Sequence, residues 1–441
     1  MLYLSTTSGS RQSFVQAGHA DNDQVLLQRA PQVLPTEPSF LAILLPIMAV
    51  IFVAFLIIGF ALPVLPLHVR QGLGLSTFVV GIVIGSQFVA SVISRIWAGQ
   101  YADAKGAKRA VVAGLLTAVA CGLLYLLSLR LAGTPVVSVT ILLLGRALLG
   151  GAESFIITGA VTWGLALVGS RNAGRVIAWM GMAMFAAFAV GAPLGTTLYA
   201  SGGFVAIAIA TALIPLLAVL LVAQFAPVLP QRGVRSGLFK VIGAVWLPGF
   251  GSALSSVGFG AILAFGSLVS AHHGWEPVWL TFSAFAVSLV AARAFFGHLP
   301  DRLGGARVAL VSVLIESGGL ALIWLAPGPA LAATGAALTG FGYALVYPGL
   351  GLEAVRRAPP KDRGLAMGAY TVFLDLALGF GTPGLGLLAG EFGLGAVFLY
   401  SSLVVLCGAA VAIRLLPPPL SAKGRPSRQV SLTEPGWVQG Q

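Results

Sequence analysis

The sequence predicts an all-α membrane protein with twelve transmembrane helices in two pseudo-symmetric bundles of six. Hydrophobic residues make up 58% of the chain and charged residues only 9%. Soluble globular proteins carry about 25% charged residues, so most of this surface cannot face water. Apolar runs of the roughly 20 residues that span a bilayer recur along nearly the whole chain. An internal repeat, described below, divides these runs into two halves.

The predicted helices leave only short segments outside the membrane. We expect an N-terminal tail over 1–39, a first bundle over 40–226, a linker over 227–240, a second bundle over 241–416 and a C-terminal tail over 417–441. The first apolar run starts too far into the chain for a cleavable signal peptide. The predicted spans are 40–64, 75–97, 109–129, 137–163, 174–199, 204–226, 241–269, 276–297, 307–326, 330–353, 364–389 and 394–416.

Basic residues are concentrated in alternate loops. The loops on one side of the predicted membrane contain only Arg70 and Arg130. Cytoplasmic loops of membrane proteins are enriched in Lys and Arg, so the other side is predicted to be cytoplasmic, with both termini. This topology accounts for the net charge of +12 without a nucleic-acid partner. The basic residues on that side are Lys105, Lys108, Arg109, Arg171, Arg175, Arg232, Arg235, Lys240, Arg302, Arg307, Arg356, Arg357, Lys361 and Arg363.

The sequence contains no pattern typical of an enzyme, a metal site or a cofactor site. Cys121 and Cys407 both fall inside predicted helices, and the histidines do not cluster. No nucleophile elbow, metal-ligand spacing or phosphate-binding loop is present. An integral-membrane enzyme and a sensor therefore remain only distant alternatives, and both tails are too short for a signalling domain.

Two motifs occur once in each half. GQYADAKGAKR begins at Gly99 and GHLPDRLGGAR begins at Gly297, each in the loop after the second helix of its half. The strings GAPLG and GTPGLG, which begin at Gly191 and Gly381, occur in the fifth helix of each half. Two matches at equivalent helices indicate a duplicated unit of six helices.

The loop that begins at Gly99 resembles the signature of the major facilitator superfamily between helices 2 and 3. Gly99, Asp103, Gly106 and Arg109 fit that signature, whereas Ala104 replaces its usual basic residue. The resemblance covers about residues 40–416, and the strings SRIWAGQYAD and AYTVFLDLALG are similar to the YhhS-like branch, often grouped with efflux permeases. It implies alternating-access transport of a small molecule across the inner membrane, by a fold that can work as a monomer.

The resemblance also implies that both copies of the loop form a cytoplasmic gate. Aspartate near a helix end can accept hydrogen bonds that hold one face closed and break in the other conformation. A simple topological turn with ordinary cytoplasmic charges is the alternative. The predicted gate residues are Gly99, Asp103, Gly106, Arg109, Gly297, Asp301, Arg302 and Gly304.

Ionisable residues inside predicted helices are candidates for proton coupling. Arg146, Gly150 and Glu153 share one face of helix 4, and Asp375 lies near the middle of helix 11. A charge at membrane depth is costly and faces a cavity or a partner. Arg146 and Gly150 also resemble an arginine motif that the family links to proton coupling. The alternatives are a structural Arg146–Glu153 pair and a structural aspartate.

The glycine–proline motif of helix 5 favours export. Gly191, Pro193 and Gly195 resemble an antiporter motif of the superfamily, although its doubled terminal glycine is missing. Gly381 and Pro383 are their counterparts, and helix bending or packing is the role expected of all five. We therefore predict proton-coupled efflux, with uptake of a sugar or small metabolite by symport as the alternative.

Other residues receive weaker assignments. Arg95 and Arg293, toward the cytoplasmic ends of helices 2 and 8, and Glu316 in helix 9 are interpreted as structural. Single polar or aromatic residues on central helices are candidates for lining a substrate cavity. They are Gln87, Trp179, Tyr343 and Tyr370.

Overall fold

A computed structural model describes residues 40–169, 172–227, 238–359 and 363–416, and every regular element in these ranges is helical. Helix α1 continues into a π-helical turn, His68–Gly72, and a five-residue helix, Leu299–Leu303, follows α8. The long helices are α1 Phe40–Leu67, α2 Thr77–Lys105, α3 Ala107–Arg130, α4 Pro135–Val168, α5 and α6 within Ala173–Ala223, α7 Leu238–His272, α8 Leu280–Phe296, α9 Gly305–Trp324, α10 Pro329–Arg357, α11 Arg363–Phe392 and α12 Leu394–Leu415.

Ten helices of the described residues are long and apolar enough to cross a membrane. One of them, Ala173–Ala223, contains 51 residues, about 75 Å of helix and far more than one bilayer requires. Gly203 interrupts it with φ 61° and ψ −164°, so the chain reverses there and forms two spans, α5 and α6. The 17-residue apolar helix Leu280–Phe296 completes the set. The all-α fold with twelve spans is confirmed.

The two copies of the repeated loop have the same backbone conformation at the turn. Gly106 and Gly304 adopt φ values of 96° and 93°, in the left-handed region that favours glycine, and each precedes a helix. The predicted end of the second span at residue 97 is too early, because α2 continues through the motif to Lys105. Gly99 and Asp103 therefore lie on a helix and not in a loop. Their segment, AGQYADAK, contains mostly residues compatible with a helix.

Large apolar side chains cover the outer surface of the helices. Val136 is 71% exposed, Phe295 70% and Phe380 67%. Several leucines on each of α3, α4 and α6 are exposed in the same way. Water would penalise an apolar surface of this extent, whereas lipid chains solvate it. The exposed surface is that of a multi-pass membrane protein.

Glycines allow neighbouring helices to approach closely. Gly59 of α1 and Gly191 of α5 face each other, and a Cβ at Gly191 would lie only 2.8 Å from the Gly59 Cα. Gly319 of α9 and Gly335 of α10 oppose each other similarly. Van der Waals contact between such surfaces replaces the hydrophobic drive that lipid does not supply. The abundance of glycine in the sequence, 57 residues, has this structural use.

Among the described residues, the most extensive contacts between the first six spans and the last six are made by two pairs of helices. Helix α2 packs along α11, and α5 packs against α8. The predicted tails 1–39 and 417–441, and most of the predicted linker 227–240, lie outside the described residues. The boundaries of the two predicted bundles stay a prediction.

Candidate functional site

A cavity of about 460 Å³ lies where the helices of the two halves meet. Its lining is mostly apolar, with phenylalanine and methionine side chains from α2, α5, α7 and α11. A concave, mainly apolar cavity with a few polar groups is typical of a small-molecule site. The charged residues in its lining are Arg95, Glu153, Arg293 and Asp375.

Asp375 of α11 forms an ion pair with Arg95 of α2. The Arg95 guanidinium donates a hydrogen bond of 2.5 Å to Oδ2 of Asp375, and the Asp375 side chain is only 7% exposed. Arg95 Nη2 also lies 3.4 Å from Ser91 Oγ. The ion pair therefore links one half of the protein to the other across the cavity. Arg95 thus contacts an acid of another helix, and the structural role predicted for it stays a prediction.

Glu153 of α4 is held by a neighbouring helix. Gln87 of α2 donates a hydrogen bond of 2.7 Å to Oε2 of Glu153. One turn further along, the hydroxyl of Ser154 donates to the Ser91 carbonyl at 2.9 Å. Close contact between α2 and α4 is possible because the position between them is Gly150, where a Cβ would overlap the Gln87 carbonyl oxygen. Glu153 and Asp375 thus face the same cavity from different halves.

Arg146 is separate from these carboxylates. It is completely buried, lies outside the cavity lining, and its Nε donates to the Val83 carbonyl at 3.4 Å. Within the described part of the chain, Arg146 forms no ion pair with Glu153. The structural Arg146–Glu153 pair that the spacing allowed is therefore not formed.

The cavity is sealed at one end by close packing of α2 against α11. Thr382 Oγ1 donates to the Gly81 carbonyl at 2.9 Å, and Thr77 Oγ1 donates to the Gly386 carbonyl at 2.7 Å. A Cβ at Gly81 would lie 2.7 Å from the Pro383 Cα, so the two backbones touch. This contact lies toward the α1–α2 connection, on the membrane side opposite the repeated motifs.

The repeated motifs occupy the other side of the membrane. Asp103 lies in the last turn of α2, and Asp301 lies in the helix Leu299–Leu303. Neither aspartate forms an ion pair with any residue that the structure describes. Arg109 and Arg302 are exposed beside them, Gly99 is on α2, and Gly297 follows the last residue of α8. Within the described ranges, neither repeated motif therefore holds an ion pair that would fasten a closed gate through its aspartate.

The two glycine–proline motifs pack against different helices. Gly191 and Gly195 of α5 contact α1, where a Cβ at Gly195 would overlap the backbone of Phe60. In α11, Gly381 faces Val257 of α7, and Pro383 faces α2 as described above. Pro193 lies inside α5 between its two glycines. All five residues lie at or beside helix contacts, and none lines the cavity.

The structure separates the predicted cavity residues into two groups. Gln87 and Tyr343 line the cavity, whereas Trp179 and Tyr370 lie outside its lining. Tyr370 is fully buried and its hydroxyl donates to the Tyr347 carbonyl at 2.8 Å. Sequence reasoning did not place Arg293 in the cavity. A signal was present, since Arg95 and Arg293 both stand four positions before the first glycine of their motif.

Glu316 is buried between helices of the second half. Ser255 of α7 donates a hydrogen bond of 2.5 Å to Oε2 of Glu316, and the side chain has no exposed surface. It lies outside the cavity lining. This placement agrees with the structural role that we expect for Glu316.

Relatives and solved structures match nearly the whole arrangement. The chain is 43% identical over 381 residues to an uncharacterized MFS-type transporter of Salmonella typhimurium, covering 86% of this chain and 98% of that one. It is 40% identical over 393 residues to one of Burkholderia pseudomallei, with coverages of 86% and 94%.

Solved transporters share the fold at low sequence identity. A mutant of the nucleoside transporter NupG superposes with a TM-score of 0.69 at 15% identity, over 85% of this chain and 100% of that one. A bacterial homolog of the human lysosomal transporter Spinster gives 0.67 at 14%, over 84% and 96%. The model of the Major Facilitator Superfamily matches residues 47–281 and 274–439. This chain therefore belongs to the Major Facilitator Superfamily and is a membrane transporter, not an enzyme.

Proposed function

We propose that the chain exports a small molecule across the bacterial inner membrane in exchange for protons. The observation that carries this proposal is the Arg95–Asp375 pair, which joins the two halves beside the substrate cavity. Alternating access requires the halves to move relative to each other about a central site. A proton that neutralises Asp375 removes the charge that attracts Arg95, and so loosens the contact between α2 and α11.

Glu153 is the second proposed proton carrier. It faces the same cavity, and Gln87 is its hydrogen-bond partner rather than a cation. A carboxyl group without a cationic partner is easily neutralised by a proton at membrane depth. In this proposal, Asp375 or Glu153 binds a proton while the site is open to the outside. The proton is released when the site opens to the cytoplasm, and the substrate binds in that second conformation. Arg146, buried beside α2, influences the coupling through the position of that helix.

Gating follows from the asymmetry of the two membrane sides. The contact between Gly81 and Thr382 closes one side of the membrane. On the other side, Asp103 and Asp301 form no ion pair with a described residue, and we interpret this as an open gate. Because the predicted cytoplasmic loops lie on the motif side, we propose that this conformation faces the cytoplasm. Both termini are then cytoplasmic, and 40–226 and 241–416 are the two moving bundles. A monomer contains the whole site.

Proton movement in reconstituted liposomes tests this function. Liposomes loaded with a pH-sensitive dye receive ethidium, glucose, uridine or 2-naphthoate, one at a time. Wild type is compared with Asp375→Asn and Glu153→Gln, and Glu391→Gln is the matched control, because Glu391 is an exposed carboxylate of α11 outside the cavity lining. We expect proton movement opposite to substrate movement, lost in at least one cavity variant and retained in the control. Unchanged coupling in both variants would refute the assignment.

Uptake by symport is the second candidate function. The same carboxylates and the same cavity support it, because a proton and a substrate bound together would also neutralise the site. Proton and substrate movement in the same direction would establish it in place of export. The glycine–proline motif at Gly191 and Pro193 favours export.

A further inference from the structure

Arg293 is a cation in the cavity, and no carboxylate among the described residues pairs with it. Its side chain lines the cavity from α8, and its Nε is buried without a hydrogen-bond acceptor. No ion pair or hydrogen bond joins its guanidinium to any residue in the described ranges. Its neighbours are aromatic: the guanidinium carbon lies 5.1 Å from the ring centroid of Phe185 and 5.8 Å from that of Tyr347. Cation–π contact supports a guanidinium here but leaves its N–H donors available.

The internal repeat explains why this cation is unpaired. Arg95 and Arg293 occupy equivalent positions before the two repeated motifs, on α2 and α8. Arg95 finds Asp375, which stands six positions before Gly381 on α11. The residue six positions before the equivalent glycine of α5 is Phe185. Each arginine thus faces the equivalent site of the opposite half, and only one of those sites holds an acid.

An unpaired guanidinium inside a membrane protein is costly unless it serves a ligand. Charged residues at membrane depth pair with one another or mark a substrate pathway. Arg presents a planar fork of donors that matches a carboxylate or a phosphate. The remaining lining near Arg293, with Phe185, Phe259 and Met184, provides an apolar and aromatic surface.

We propose that the substrate is an amphipathic organic anion whose anionic group binds Arg293 and whose apolar body lies against the phenylalanines of the cavity. Arg293 is the group that selects for negative charge. Phe185 stands where the other half has Asp375, so the guanidinium of Arg293 stays available to bind the substrate. Asp375 and Glu153 do not compete for Arg293, since Arg95 and Gln87 hold them. The inference rests on the proposed transport function and names its substrate class.

Binding to the purified full-length protein in detergent tests the inference without a proton gradient. The probes are 2-naphthoate and dansylglycine, each compared with its uncharged carboxamide by calorimetry. A charge-assisted hydrogen bond predicts that wild type binds the acids about tenfold to 100-fold more tightly than the amides. Arg293→Gln should abolish this preference, and Arg293→Lys should retain part of it, because lysine keeps the charge but not the fork.

Two variants of Phe185 test the role of the missing acid. Phe185→Asp should pair with Arg293 and remove the preference for acids while the arginine is still present. Phe185→Leu, the matched apolar control, should retain it. If Phe185→Asp does not fold, the preference of Arg293→Gln for acids over amides still tests the inference. Binding of the amides by Arg293→Gln shows that its cavity is intact.

The outcomes separate this inference from the proposed coupling. Equal binding of acids and amides by wild type overturns the inference, as does an unchanged preference in Arg293→Gln or a failure of wild type to bind any of the four probes. Proton coupling is measured separately, in liposomes, and its loss in variants of Asp375 or Glu153 tests the proposed function and not the anion site. A selective anion site in a protein without proton coupling would leave this inference standing and refute the coupling.

Discussion

Replacing Asp375 by asparagine should shift the protein toward the conformation that is open on the α1–α2 side. The substitution preserves the shape of the side chain and removes the charge that binds Arg95 at 2.5 Å. Breaking a fully buried ion pair costs about 3 to 5 kcal/mol, whereas exposed pairs contribute about 1 kcal/mol or less.

The partial burial of the Arg95–Asp375 pair places the free energy lost in Asp375→Asn between the values for buried and exposed ion pairs. Asp375 is 7% exposed and Arg95 is 29% exposed through the cavity, so water and Ser91 partly solvate the released guanidinium. About 2 kcal/mol is a reasonable loss for such a pair, which corresponds to about a 30-fold change in the ratio of the two conformations. A minor open population of about 1% would then rise to roughly a fifth of the molecules.

Spin-label distances measure this population. Gln71 and His272 are exposed on the sealed side, one in each half, and cysteines there would carry the labels in a background of Cys121→Ala and Cys407→Ser. Asp375→Asn should add a longer distance that wild type at neutral pH hardly shows. Acidification of wild type should do the same, because protonation removes the same charge.

The charge exchange decides whether the pair itself is responsible. Arg95→Asp combined with Asp375→Arg should restore the wild-type distribution, and Glu391→Gln should never change it. Identical distances in wild type, Asp375→Asn and Arg95→Gln would refute the reasoning, since the pair would then contribute nothing to the conformational equilibrium.

Three further predictions concern glycines and the cavity. Gly150→Leu should prevent folding, because its side chain would overlap the Gln87 backbone. Gly151→Ala should be tolerated, because the added Cβ would lie 3.9 Å from the Ser94 Cβ. The yield of detergent-solubilised protein and its size-exclusion profile compare the two variants. Gly106→Ala and Gly304→Ala should each destabilise the turn by about 1 to 2 kcal/mol through their positive φ, whereas helical Gly99→Ala should not, as thermal unfolding will show. Glu316→Gln should leave proton coupling in the dye assay intact, because this carboxylate lies outside the cavity.

The helical architecture was largely predictable because hydropathy and the repeat act along the chain. Each span needs its own apolar run, and the glycine turns at Gly106 and Gly304 stand at the positions that the repeated motif indicates. The boundary at residue 97 was wrong, since polar residues can continue a helix beyond the membrane. Charge composition marks where a span leaves lipid, and it does not mark where a helix ends.

The cavity was less predictable because it depends on which helix faces which. Arg95 and Asp375 are 280 residues apart, and no local pattern indicates that they meet. Tyr370 is on a central helix, yet the rotation of α11 directs its hydroxyl to the Tyr347 carbonyl. Gln87 and Tyr343 line the cavity whereas Trp179 and Tyr370 do not, and the composition of a helix does not indicate which of its faces turns inward.

The repeat explains how one duplicated unit can perform two tasks. Equal halves would place an arginine–acid pair at both crossings, α2 with α11 and α5 with α8, and both cations would be neutralised. Asp375 occupies one crossing and Phe185 the other, so only the first can respond to protons by losing a charge pair. The second retains Arg293, a cation that no acid of the described residues neutralises, beside an aromatic surface. Departure from symmetry at a single pair of positions therefore separates the proposed proton switch from the proposed substrate site, while both remain in one cavity.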